Sequence, residues 1–190
     1  MMHALRVFFA IIFPKATQVR LSRNLKTLQN TIRSDYIRWV HVENMHITLQ
    51  FIGNLPHEQL NLLTENVQTA IKNILPFQLQ FGHLEWFPTL LHPKILSLSV
   101  LPQTDLAMLS KVIGDIAIAL NVPVETRPFR GHLTMGRLIR YRIPYEILEK
   151  IKVPVIPPIV VNKIHLIESR TEKERQNYYP LAEFKLSGLF

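Results

Sequence analysis

Met45-His46-Ile47-Thr48-Leu49-Gln50-Phe51 alternates apolar and polar residues without a break, the period of a strand with one buried face. Successive strand side chains point to opposite faces, so His46 and Thr48 share one face about 7 Å apart. Ile47, Leu49 and Phe51 are expected to face a core behind them. His132-Leu133-Thr134-Met135 repeats the design, with Leu133 and Met135 turned inward. No other histidine in the chain has threonine two residues on. One isolated His-x-Thr is usually a half-exposed strand histidine and nothing more. Two copies in corresponding places of two similar halves supply a general acid, a general base and two hydroxyl donors. That set suits in-line attack on a phosphodiester.

Outward from these strands the pattern alternates between the two regular structures. A strand at about 4–13 leads to a helix near 16–33 with Val19, Leu25, Leu28 and Ile32 on its apolar face. Strands follow near 37–40 and 45–52. Pro56 suits the first residue of a helix running to about Ile74, with Leu60, Leu63, Val67 and Ile71 inward. Strands near 77–86 and 95–100, a helix over 104–120 and the second motif strand at 131–139 come next. A helical turn from Pro144 and strands near 159–168 and 178–187 complete the chain. Tight strand–helix–strand alternation is missing, so the expected class is α+β. Each motif histidine follows a strand–helix unit, which implies two pseudo-equivalent lobes around a cleft. No linker composition divides residues 1–190, so one domain is expected; the Val153–Pro158 stretch reads as a loop.

Composition bounds the chemistry. The 190 residues contain no cysteine, which excludes disulfides, thiolate catalysis and cysteine-rich metal sites. Hydrophobic residues make up 47%, enough for a substantial core. The formal net charge of +8 and a pI near 9.9 suit a polyanionic partner such as a nucleic acid. Five arginines (127, 130, 137, 140 and 142) gather around the second motif. The apolar run Val7–Phe13 reads as a buried strand, and no stretch approaches membrane-span length. A soluble, cytoplasmic monomer without an evident protein partner is the expectation. Neither motif has the spacing of a metal-binding helix, and no Gly-rich phosphate loop or nucleophile elbow is present. Neither a metal nor a cofactor is expected. Trp39, Trp86, Phe87, Tyr178 and Tyr179 read as core or rim residues. His41, His57, His83, His92 and His165 read as structural or exposed.

The paired H-x-T-x motifs resemble those of the two-histidine phosphoesterases. The surrounding words resemble the bacterial RNA 2′,3′-cyclic phosphodiesterases, also called 2′-5′ RNA ligases. The resemblance runs through Arg6–Ala10, Arg38-Trp39-Val40, Glu43–Leu49, Phe51-Ile52-Gly53, Phe87-Pro88, Phe129–Arg137 and Leu166–Arg170. It implies a bilobal α+β fold and metal-independent hydrolysis of a 2′,3′-cyclic phosphate to a 2′-phosphate, with reverse 2′-5′ joining in some members. Gly131 departs from it where the family often has proline, and Lys94–Ser97 departs where an arginine often starts the strand.

On this reading His46 and His132 are catalytic, and Thr48 and Thr134 bind non-bridging phosphate oxygens. Arg130 and Arg137 flank His132, and positive charge disfavours imidazolium. His132 is then the base and His46 the acid, which is also what the resemblance implies. Arg137 matches the family's arginine three residues after the motif threonine. Strict alternation puts it on the face opposite His132, so the strand must end or bulge before it; Arg130 has the right parity. RNA or a nucleotide with a 2′,3′-cyclic phosphate is the expected partner. Two alternatives stay open: another cyclic phosphate or an oligoadenylate as substrate, or a non-catalytic RNA- or nucleotide-binding module.

Overall fold

The computed structural model describes residues 4–32, 35–125, 127–139, 145–173 and 175–188, which form nine strands and three α-helices. In chain order they are β1 (Ala4–Ile12), α1 (Lys15–Thr31), β2 (Ile37–Trp39), β3 (His46–Pro56), α2 (Leu60–Ile71) and β4 (Phe77–Phe87). They continue with β5 (Ile95–Leu101), α3 (Gln103–Ala119), β6 (His132–Leu138), β7 (Ile159–Val161), β8 (Lys163–Glu172) and β9 (Arg175–Lys185). The strands form two antiparallel sheets, ordered β3-β1-β8-β9 and β2-β6-β5-β4-β7. The fold is therefore bilobal α+β, with one motif strand in each sheet.

The halves of the chain exchange strands. β2 leaves the first half to pair with β6, while β8 and β9 return from the second half to join β1. One hydrophobic cluster runs behind both sheets: Phe9, Ile47, Leu49, Leu166 and Phe184 from the first, Leu96, Leu98, Leu133 and Met135 from the second. The helices seal it with stripes at helical spacing, Leu63, Val67 and Ile71 on α2 and Leu106, Leu109, Ile113 and Ala117 on α3.

Four expectations change. Pro56 closes β3, paired with Ala4, and a three-residue 3₁₀ turn (His57–Gln59) precedes α2. The fully buried Leu55 carries the strand on to that point. The strand expected at 159–168 divides at Asn162, because β7 pairs with β4 in one sheet and β8 with β1 and β9 in the other. Val19 is 48% exposed, and Leu21 takes the inward place on α1. Phe51 is also exposed, for a reason that bears on the site. The expected turn from Pro144 exists as a 3₁₀ segment at Tyr145–Lys150, with Pro144 itself outside the described residues. Among the described residues no helix is long and apolar enough to cross a membrane.

Candidate active site

Each motif strand carries a β-bulge at the fourth motif residue. In β3, Thr48 faces Ala10 while Gln50 faces Phe9, leaving Leu49 as the extra residue. In β6, Thr134 faces Ser97 while Gly136 faces Leu96, leaving Met135 as the extra residue. A bulge shifts the alternation by one. His132 and Thr134 are half-buried, Met135 and Gly136 are both buried, and Arg137 emerges exposed. Arg137 thereby returns to the face of His132, as the parity argument required. The same device moves Phe51, which occupies in β3 the place Arg137 occupies in β6, from the expected core position to the face of His46. There it pairs with Phe8 and lies 5.4 Å beneath the Arg6 guanidinium.

Both imidazoles are anchored in the same way. His46 Nδ1 donates to the Asn44 carbonyl at 2.7 Å, and His132 Nδ1 donates to the Arg130 carbonyl at 2.9 Å. This fixes the tautomer and leaves each Nε2 as the working nitrogen. His46 Nε2 meets the Thr48 hydroxyl at 3.1 Å. Asn44 is itself tied to β9, its side-chain amide donating to the Gln176 carbonyl. Phe8 and Tyr178 wall His46, with ring centroids 4.8 and 5.2 Å away. His132 stacks on Phe87 at 3.9 Å. Arg130 lies over Phe87 too, ion-paired to Glu85 and donating to the Pro88 carbonyl.

Gly131, the departure before the second histidine, is clamped by Gln103. The side-chain amide of Gln103 donates to the Gly131 carbonyl and its oxygen accepts the Gly131 N–H, both at 2.8 Å. Proline has no N–H to offer, and any Cβ here would meet Leu106 at 2.8 Å. Gln103 thus fixes the entry to β6 by a pair of hydrogen bonds that proline could not complete.

His132 acts on His46, and Arg137 acts on both histidines. Burial lowers the His46 pKa to about 4, opposed by the Asn44 hydrogen bond and deepened by the charges of His132 and Arg137. Burial also lowers that of His132, opposed by the Arg130 carbonyl and Glu85 and deepened by Arg130 and Arg137. The charge argument for the two roles is corrected here. Desolvation outranks the arginines at both sites, and His46 is the histidine held down to about 4. Both are neutral at pH 7 in the free protein.

The remaining sequence readings separate as follows. Thr48 and Thr134 share the histidines' faces; Arg137 reaches both histidines, and Arg130 reaches only His132. Arg127 ion-pairs with Glu125, and Arg140 and Arg142 lie outside the described residues. His165 lies in the cross-strand row Thr48–Ala10–His165, with Glu183 3.4 Å away. His83 bonds Ser99, the partner of His132. Glu85, Phe87, Phe8 and Tyr178 were missed as site residues. Glu85 and Arg130 are 45 residues apart, and no local pattern marks such a pair. Among the described residues no three His, Asp or Glu side chains gather as a metal-binding group.

The family described as LigT like Phosphoesterase matches residues 12–96, which include His46 and Thr48. An RNA 2′,3′-cyclic phosphodiesterase of Aquifex aeolicus is 29% identical over 155 residues, covering 80% of this chain and 82% of that protein. Escherichia coli LigT in apo form superposes with a TM-score of 0.79 at 21% identity, over 97% of this chain and 99% of that one. The same protein complexed with 3′-AMP gives 0.75 at 19% identity over the same shares. In sequence and in fold the chain is similar to LigT-like phosphoesterases.

Proposed function

We propose that this chain hydrolyses the 2′,3′-cyclic phosphate at RNA ends to a 2′-phosphomonoester, acting as one bilobal domain over residues 1–190. His46 is the general acid and His132 the general base, no metal ion takes part, and an RNA 5′-hydroxyl attacking in place of water would give 2′-5′ joining by the same P–O3′ cleavage. One observation carries the reading: a backbone-anchored imidazole from each sheet, with His46 in the field of His132 and Arg137 acting on both. The activity named for the Aquifex aeolicus relative and the 3′-AMP complex of Escherichia coli LigT support the substrate class.

Water gives a proton to His132 Nε2 as its oxygen attacks phosphorus. The P–O3′ bond breaks on the opposite side, and His46 Nε2–H protonates the departing O3′. Thr48, Thr134 and Arg137 hold the non-bridging oxygens as charge develops there. His46 Nε2 carries no proton in the free protein at neutral pH. The bound phosphate supplies the negative charge that restores one, so the reactive protonation state forms in the complex.

The test is RNA ending in a 2′,3′-cyclic phosphate, incubated with excess EDTA, with the product phosphate located. The expected product is the 2′-phosphomonoester, formed at the same rate with and without EDTA. A 3′-phosphate product, or turnover abolished by EDTA and restored by a divalent ion, would contradict the mechanism.

A further inference from the structure

Arg38 on β2 lies directly opposite Arg137 on β6, in register. Directly opposed cross-strand residues have Cβ atoms about 4.5–5.5 Å apart, and like charges there are destabilising. Ile37 and Trp39, the neighbours of Arg38, pack against the core, so Arg38 points the other way, onto the face that carries Arg137. The row continues through Ile95 to Phe87, the ring stacked on His132. Both arginines are exposed, and neither has a carboxylate partner among the described residues. Arg130, one strand end away, shows the contrast, since Glu85 neutralises it.

Two unneutralised guanidinium groups side by side on the exposed face that carries His132 mark a place for more than one negative charge. Arg137 is the one whose field reaches both histidines, and in the function proposed above it holds the reacting phosphate. We propose that Arg38 binds the next phosphate of the strand, the 3′-5′ diester on the 5′ side of the cyclic end, so that the site distinguishes an RNA terminus from a free nucleoside cyclic phosphate. The two cationic positions are offset by one strand spacing, about 4.8 Å, and a single-stranded backbone tracks such a cationic groove. A cyclic mononucleotide has no second phosphate and leaves Arg38 unused. This inference rests on the phosphodiesterase reading for its substrate and refines it.

The experiment compares wild type, Arg38→Gln and Arg38→Lys on two substrates with the same terminal nucleoside: a nucleoside 2′,3′-cyclic phosphate and a dinucleotide ending in one. A charge-assisted hydrogen bond lost from the complex predicts a fall of about 10–100-fold in kcat/KM for the dinucleotide with Arg38→Gln. The mononucleotide rate should stay within about twofold, and Arg38→Lys should recover part of the dinucleotide loss. Equilibrium binding of an oligonucleotide ending in a 2′-phosphate should show a salt slope smaller by about 0.7. The melting temperature of Arg38→Gln should be unchanged or raised, because a like-charge pair is relieved. Equal losses on both substrates would place Arg38 on the reacting phosphate and overturn the proposal. Wild-type rates on both, with an unchanged salt slope, would overturn it as well. A wild-type protein that hydrolyses neither substrate would overturn the phosphodiesterase reading, and the binding slope would still decide the role of Arg38.

Discussion

Replacing His46 or His132 with alanine should each lower single-turnover hydrolysis of the cyclic phosphate by about 10²–10⁴-fold, the range a positioned acid or base contributes. RNA affinity should change little, because the cationic contacts of Arg137 and the threonines remain. The double replacement should be little slower than the slower single one, since an acid and a base acting in one displacement are not independent. Rapid-quench kinetics beside binding titrations measure both quantities. Near-wild-type turnover in either variant would remove that histidine from the chemistry and favour a module that binds nucleotides without cleaving them.

Arg137→Gln should have the second largest effect. It removes a charge-assisted contact to the reacting phosphate, worth about 10–100-fold in kcat/KM. It should also move the pH profile. In the reactive form one histidine of the pair is protonated at Nε2 and the other is not, so kcat/KM is bell-shaped and its limbs belong to the pair. Both histidines are held below the usual 6.5, so the optimum of kcat/KM in the wild type lies on the acid side of 6.5. The limbs for kcat lie higher, because the bound anion favours imidazolium. Arg137 disfavours the charged form of both histidines, so its loss raises both pKa values and shifts both limbs to higher pH. The shift is small, because burial is the larger cause at each site. Arg130→Gln acts on His132 alone and also frees Glu85, which favours the His132 proton, so it moves the profile in the same direction. Full profiles in metal-free buffer decide between the arginines. A lowered plateau with unmoved limbs would mean that Arg137 holds phosphate without tuning the pair.

The motif strands, the three helices and the α+β class were legible because they rest on local periodicity. Ile47, Leu49, Leu133 and Met135 fall in the core where alternation puts them. Alternation failed at Phe51 and Arg137 for one reason. Each lies beyond a bulge, and a bulge is set by the partner strand rather than by the strand's own sequence. The site's electrostatics were less legible. Flanking arginines are visible in the sequence, whereas desolvation depends on which side chains from other strands close over an imidazole. Phe8 and Tyr178 around His46 come from β1 and β9. The exchange of β2 and β8–β9 between the sheets had no local signal either, and that exchange brings Arg38 beside Arg137.

The assignment of acid and base is tested most directly by a substrate whose leaving atom needs no proton. In a 2′,3′-cyclic phosphate with sulfur in place of the 3′-oxygen, the departing thiolate is stable without an acid. His46→Ala should hydrolyse this substrate at close to the wild-type rate while remaining slow on the oxygen parent, and His132→Ala should be slow on both. Rescue of His132→Ala instead of His46→Ala would reverse the two roles, and rescue of neither would contradict acid–base catalysis by the pair.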